Sequence, residues 1–198
     1  MVRVLLGALL MSMIAGWGAK ARAADNPAVG SARGETALLG GYGITHRGFG
    51  ETRTQVQTVD AILRYGHFLM GEVGKSWYRG RHEVLVELPL HLAVDPKTRA
   101  MSGAYLLGSW KFTGLARENL YPYLFAGGGV IFNDLGLATQ GTRLNYSYQG
   151  GWGIQYLLGN GLAFTAEYRY HHISNAGTAE PNEPLNSSNI LCGFSLFR

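Results

Sequence analysis

Between Arg143 and Tyr156 the chain changes character at every step. Leu144, Tyr146, Tyr148, Trp152, Ile154 and Tyr156 fill even positions, while Asn145, Ser147, Gln149 and Gln155 fill odd ones. The pattern recurs at 162–174, where Leu162, Phe164, Tyr168 and Tyr170 oppose Thr165, Glu167, Arg169 and His171. At 58–65, Val59, Leu63 and Tyr65 oppose Asp60 and Arg64; at 82–92, Val84, Val86, Leu88, Leu90 and Leu92 oppose Glu83, Glu87 and His91. A period of two is the signature of extended chain with one apolar and one polar face, and it excludes helices over these stretches.

A soluble half-buried sheet would alternate in the same way, so length has to decide. Globular strands average about five or six residues, whereas membrane strands need about 9 to 11. Several of these runs reach ten to fourteen residues. Strands in lipid must also close on themselves, because an unpaired edge there is prohibitive. Eight candidates emerge, at 34–46, 53–67, 77–93, 101–113, 121–132, 142–157, 161–174 and 187–197. The fifth is the weakest, since Tyr121-Pro-Tyr-Leu-Phe-Ala-Gly-Gly-Gly-Val-Ile-Phe hardly alternates. Eight is an even number, and barrels of this size fill their interior with side chains. The expected fold is therefore all-β, an eight-stranded antiparallel transmembrane β-barrel of the outer-membrane type. Its inward set would hold Asp60, Arg64, Glu83, Glu87, His91, Lys111, Glu167 and Arg169, paired as a structural plug rather than a transport path. Twenty-nine glycines, eleven tyrosines, eight phenylalanines and four tryptophans suit strands, turns and interfacial rings.

The first residues read differently. Arg3 precedes an apolar run at 4–17 and a small-residue stretch ending near Ala23 and Ala24, which is the pattern of a secretory signal peptide over 1–23. That run is too short to span a bilayer. The remaining 24–198 would be a single barrel domain. Removing Arg3, Lys20 and Arg22, three of 17 cations, lowers the formal net charge from +4 to +1. The basic balance is then no argument for nucleic-acid binding. Cys192 is the sole cysteine, so no intrachain disulfide can form. The last strand ends in Phe197-Arg198, one residue short of the terminal aromatic common in outer-membrane barrels.

With both termini on the periplasmic side, the seventh strand ends at the outer face of the membrane. His172 and Ser174 lie two apart at that end, on one face, with Cα atoms about 6.6 Å apart. An imidazole at that spacing reaches the hydroxyl and can activate it as a nucleophile. Parity groups the pair with Tyr168 and Tyr170 on the lipid side, and sends His171 to the lumen. A His-x-Ser pair also arises by chance at a polar strand end. On the lipid face, however, it suits a substrate that is itself a membrane lipid.

The surrounding stretch, Tyr168-Arg-Tyr-His-His-Ile-Ser-Asn-Ala-Gly-Thr-Ala-Glu-Pro-Asn182, closely resembles the signature of the PagL-type lipid A 3-O-deacylases. The resemblance extends upstream through Tyr121-Pro-Tyr-Leu, the glycines at 127–129, Gly141-Thr-Arg-Leu-Asn145 and Gly151-Trp-Gly153. It implies an outer-membrane serine esterase that hydrolyses the 3-position acyl ester of lipid A, the lipid of lipopolysaccharide. It implies His172 as base, Ser174 as nucleophile, and oxyanion contacts from the Gly177 backbone N–H and the Asn182 side chain. Asn175 either assists or holds the loop. The triad acid of the family falls, by count from the serine, on Asn186. Either Asn186 orients His172 as an amide, the reading favoured here, or Glu183, less readily Glu180, reaches the imidazole by another loop path.

No cofactor or metal is implied: His46, His67, His82 and His91 lack metal-ligand spacing, and the glycines at 127–129 do not form a phosphate loop. Arg47, Arg53, Lys97 and Arg99 fall in outer loops as solvated charge. The partners implied are lipid A and the outer membrane, with homodimerisation left open. Two other classes compete with the hydrolase: a structural or binding barrel with a vestigial site, and a phospholipase or acyltransferase on a similar barrel.

Overall fold

The computed structural model describes residues 29–198; the expected signal peptide lies outside them. Eight strands close into a barrel in chain order: β1 Gly34–Thr45, β2 Gln57–Phe68, β3 Gly80–Asp95, β4 Arg99–Phe112, β5 Leu120–Asn133, β6 Leu144–Gly159, β7 Leu162–Ser174 and β8 Leu185–Phe197. Every neighbour is antiparallel, and β8 pairs back to β1 from Glu35↔Phe197 to Thr45↔Ser187. Closure leaves no unpaired edge among the described strands, which is the condition for crossing hydrocarbon. The eight strands expected from alternation are present, each boundary within a few residues.

Outward positions form an apolar belt: Leu38, Leu63, Leu88, Leu106, Leu124, Trp152, Ile190 and Phe194 are exposed, Ile190 at 70%. An exposed apolar surface of this extent on a closed barrel is a lipid-facing surface. Inward positions are sealed, and a polar network lies there beside an apolar cluster that includes Leu85, Tyr105, Leu107, Phe125 and Ile131. Arg64 Nη2 lies 2.6 Å from Glu167 Oε2 and its Nε donates to Glu87 Oε1 at 2.7 Å. Arg169 pairs with Glu87 Oε2 at 2.8 Å and with Glu167 Oε1. Lys111 sits 3.2 Å from Glu35 and 3.1 Å from Glu83 and donates to Gln155 at 2.8 Å. All the inward residues expected from parity are there, and Glu35 joins them.

The fifth strand explains its own poor alternation. Gly127 and Gly129 face inward, and a Cβ on Gly129 would press on the Tyr105 ring, 2.9 Å away. Gly129 gives room to Tyr105 and Gly127 to Leu107, both buried side chains of β4. The side chain missing from one strand is supplied by its neighbour.

The two ends of the barrel differ. The start of β1, the end of β8 and the two-residue turn at 160–161 lie at one end. The other end carries loops 46–56, 96–98, 134–143 and 175–184, and β7 delivers Ser174 to it.

Candidate active site

Along β7 the even residues Tyr168, Tyr170, His172 and Ser174 face outward, because the strand period of two leaves them no alternative once Glu167, Arg169 and His171 are committed to the lumen. β8 runs beside it with Asn186 opposite His172 and Ser188 opposite Tyr170. The imidazole then bridges two side chains. His172 Nε2 lies 3.0 Å from Ser174 Oγ, and His172 Nδ1 lies 2.7 Å from Asn186 Oδ1. From the other side, β6 places Tyr148 opposite His172, and the two rings stack at 4.2 Å with planes 17° apart. The serine and histidine are half-buried, while Asn186 is 4% exposed.

The protonation pattern follows from donor and acceptor rules. An amide oxygen only accepts, so the Nδ1 facing Asn186 Oδ1 carries the hydrogen. The lone pair of the neutral ring then sits on Nε2, facing the serine hydroxyl. Tyr170 donates its hydroxyl to the same Asn186 oxygen at 2.6 Å.

Asn175 is fully buried and organises the loop that follows. Its N–H donates to Asn182 Oδ1 at 2.9 Å, its Nδ2 donates to Ala179 O at 2.7 Å, and its Oδ1 accepts the Gly177 N–H at 2.9 Å. These bonds tie the loop at 175–182 together. Asn175 also engages the Gly177 N–H, which is therefore not free toward Ser174. The Asn182 amide group is held against the backbone just after the nucleophile position, with its oxygen occupied.

Glu183 is placed elsewhere. Its Oε1 accepts backbone N–H groups from Arg53 at 2.7 Å and Thr54 at 2.6 Å, tying loop 46–56 to loop 175–184. Burial opposes its ionisation, but the Thr139 hydroxyl and those N–H groups outweigh it and hold its carboxyl below the usual range. Glu183 and Asn182 line a surface crevice of about 170 Å³ with Glu51, Arg53, Thr139 and Pro181. Glu180 makes no contact with His172. Among the described residues no group of histidine, cysteine, aspartate and glutamate is arranged to hold a metal.

Tyr148, Phe49 and Thr52 also touch the site's residues and were not singled out in the sequence, and Tyr170 was placed on the same face without a role. Tyr148 and Tyr170 share the outward parity of His172, so correct strand pairing would have found them. Nothing in the pattern marks Phe49 or Thr52, which arrive from a loop more than 120 residues away in the chain.

Fold and wall together define an outer-membrane β-barrel with a polar, hydrogen-bonded site on its lipid-facing side. The chain belongs to the lipid A 3-O-deacylase (PagL) family, whose model matches residues 61–195. Among solved structures, the outer membrane enzyme PagL is similar with a TM-score of 0.55 and 17% identity, over 82% of this chain and 98% of that one. Neisserial surface protein A is similar with a TM-score of 0.59 and 12% identity, over 82% and 96% respectively. At such identities these likenesses speak for the fold alone. No curated protein matches the chain.

Proposed function

We propose that the protein is a lipid A 3-O-deacylase that hydrolyses the 3-position acyl ester with Ser174 as nucleophile, His172 as general base and acid, and Asn186 as the group that orients the imidazole. The observation that carries this reading is the unbroken line Ser174 Oγ, His172 Nε2, His172 Nδ1, Asn186 Oδ1, with gaps of 3.0 and 2.7 Å on a lipid-facing wall.

Ser174 Oγ attacks the acyl carbonyl and its proton passes to His172 Nε2. The tetrahedral oxyanion collapses, the sugar oxygen leaves, and it takes the proton from Nε2. Water then attacks the Ser174 acyl ester with the same proton path, releasing a fatty acid and restoring the serine. The oxyanion is assigned to the Asn182 side-chain amide, joined by the Gly177 N–H once that bond swings away from Asn175. Asn186 holds the ring but does not neutralise the imidazolium, which points to a slower turnover than a carboxylate would support. The Tyr148 ring face, stacked on the imidazole, offsets part of that deficit by cation–π attraction.

Mass spectrometry of lipid A from cells expressing the protein tests the reading. Loss of one 3-linked acyl chain, abolished by Ser174→Ala, is expected. An unchanged lipid A with a folded barrel supports a vestigial site instead, and altered glycerophospholipids or chain addition would reassign the chemistry.

A further inference from the structure

Asn186 can orient His172 productively in only one of its two amide rotamers. Turned over, it would present Nδ2 to the ring, require a lone pair on Nδ1, and move the ring hydrogen to Nε2, the atom that must receive the Ser174 proton. A carboxylate has no such wrong orientation. A chain that uses an amide at this position therefore needs something to fix which way it points.

Tyr170 cannot do so, because a hydroxyl donates or accepts with equal ease. Loop 46–56 can. Asn186 Nδ2 donates to the Phe49 carbonyl at 3.3 Å and to Thr52 Oγ1 at 2.9 Å. The Phe49 carbonyl has no hydrogen to give. The Thr52 hydroxyl has one, and it is committed to the Pro184 carbonyl at 2.9 Å, while the backbone N–H of Asn186 also donates to Thr52 Oγ1 at 3.0 Å. Both atoms facing the far side of Asn186 are thus pure acceptors, and both reject the turned amide. The loop that carries them is itself held down: His46 N donates to Asn186 O at 2.7 Å, Gly48 N to Thr52 O at 2.8 Å, and the Phe49 ring meets Tyr170 edge-on at 6.1 Å. Gly50 passes above with φ +56, and a Cβ there would come within 3.2 Å of Asn186 Nδ2.

We propose that Thr52, with the Phe49 carbonyl, is a positioning element of the site: it clamps the Asn186 amide so that His172 keeps its hydrogen on Nδ1 and its lone pair toward Ser174. The clamp lies outside the residues matched by the family model, and it answers a need created by the amide in this chain. It rests on the esterase reading for its consequence, though not for its test.

The test is the ¹⁵N chemical shifts of His172 in the folded barrel, measured in the wild type, Thr52→Val and Thr52→Ser, beside kcat and KM on lipid A vesicles. The wild type and Thr52→Ser should show the Nδ1–H tautomer. Thr52→Val should show a mixture of tautomers and a kcat lowered about tenfold with KM within twofold, the size expected for one hydrogen bond. A wild-type tautomer in Thr52→Val, or a Thr52→Ser variant as impaired as Thr52→Val, overturns the clamp. Should Thr52→Val not fold, Gly50→Ala, which crowds the amide and leaves the hydroxyl in place, should shift the tautomer in the same direction; no shift overturns the clamp. Because the tautomer is read without substrate, a shifted tautomer in a protein that never deacylates lipid A would support the clamp and sink the esterase reading.

Discussion

His171 and His172 are neighbours in the chain and both touch a serine, yet they stand on opposite sides of one wall. His171 Nε2 lies 2.7 Å from Ser147 Oγ inside the lumen, a shorter contact than the 3.0 Å between His172 and Ser174 outside. By distance alone the inner pair would be the better dyad. It differs in what surrounds it. His171 is 2% exposed and Ser147 5%, enclosed with Tyr105 and His91, and no acyl chain can approach them. His172 has a second partner that fixes its tautomer and an opening toward lipid. A histidine–serine contact becomes a candidate site only when the far nitrogen is oriented and the near oxygen can be reached.

Either side of the wall can be perturbed separately. The largest effect is expected outside: Ser174→Ala should lower deacylation by about 10³-fold or more, measured as released fatty acid, while Ser147→Ala leaves it within about threefold. Next comes the lumen. Arg169→Met strips the buried Glu87 and Glu167 of a shared cation and should cost about 3–5 kcal/mol, read by urea unfolding in lipid vesicles, with activity per folded molecule retained. Asn186→Ala leaves the imidazole unoriented and should reduce kcat about 30- to 100-fold with little change in KM, whereas Glu183→Ala should leave kcat within about threefold. Equal losses from the two variants would overturn the assignment of the orienter. Tyr148→Leu removes the ring over His172 and should reduce kcat about three- to fivefold.

The smallest effect concerns Glu183. Its folded carboxyl titrates below the unfolded value, so its hydrogen bonds stabilise the loops fully above the ordinary carboxylate range. That contribution fades as the pH falls through the unfolded and then the depressed folded value. Proteolysis of the outer loops should accelerate below about pH 4, and Glu183→Gln should flatten that dependence.

The sequence foretold the barrel because strand parity is local: Asp60 and Arg64 on one strand, and Glu83, Glu87 and His91 on the next, declare an inward face before any pairing is known. It also foretold that His172 and Ser174 share an outward face, since a separation of two fixes that. β5 was hard to read because the space inside Gly127 and Gly129 is taken by Leu107 and Tyr105 of β4, a nonlocal filling that the glycines do not announce. Asn186 could be found by counting along a resemblance, but that it meets His172 while Glu183 turns to Arg53 and Thr54 depends on a loop path that no periodicity encodes. Thr52 was invisible. Its importance lies in which atom its only hydroxyl hydrogen is given to, and that is settled by a carbonyl in another loop.

The lattice of Arg64, Arg169, Glu87 and Glu167 also shapes how the molecule can change over generations. Substitutions inside must arrive in compensated sets, because any single loss leaves a buried charge unmatched. Substitutions outside meet lipid or loop and are judged one at a time. A lineage built this way holds its scaffold nearly fixed while its chemistry is free to be tried, weakened or retuned on the far side of the same strands. An amide at Asn186, where the family resemblance implies an acid, is the kind of variant such a wall can tolerate without loss of the barrel.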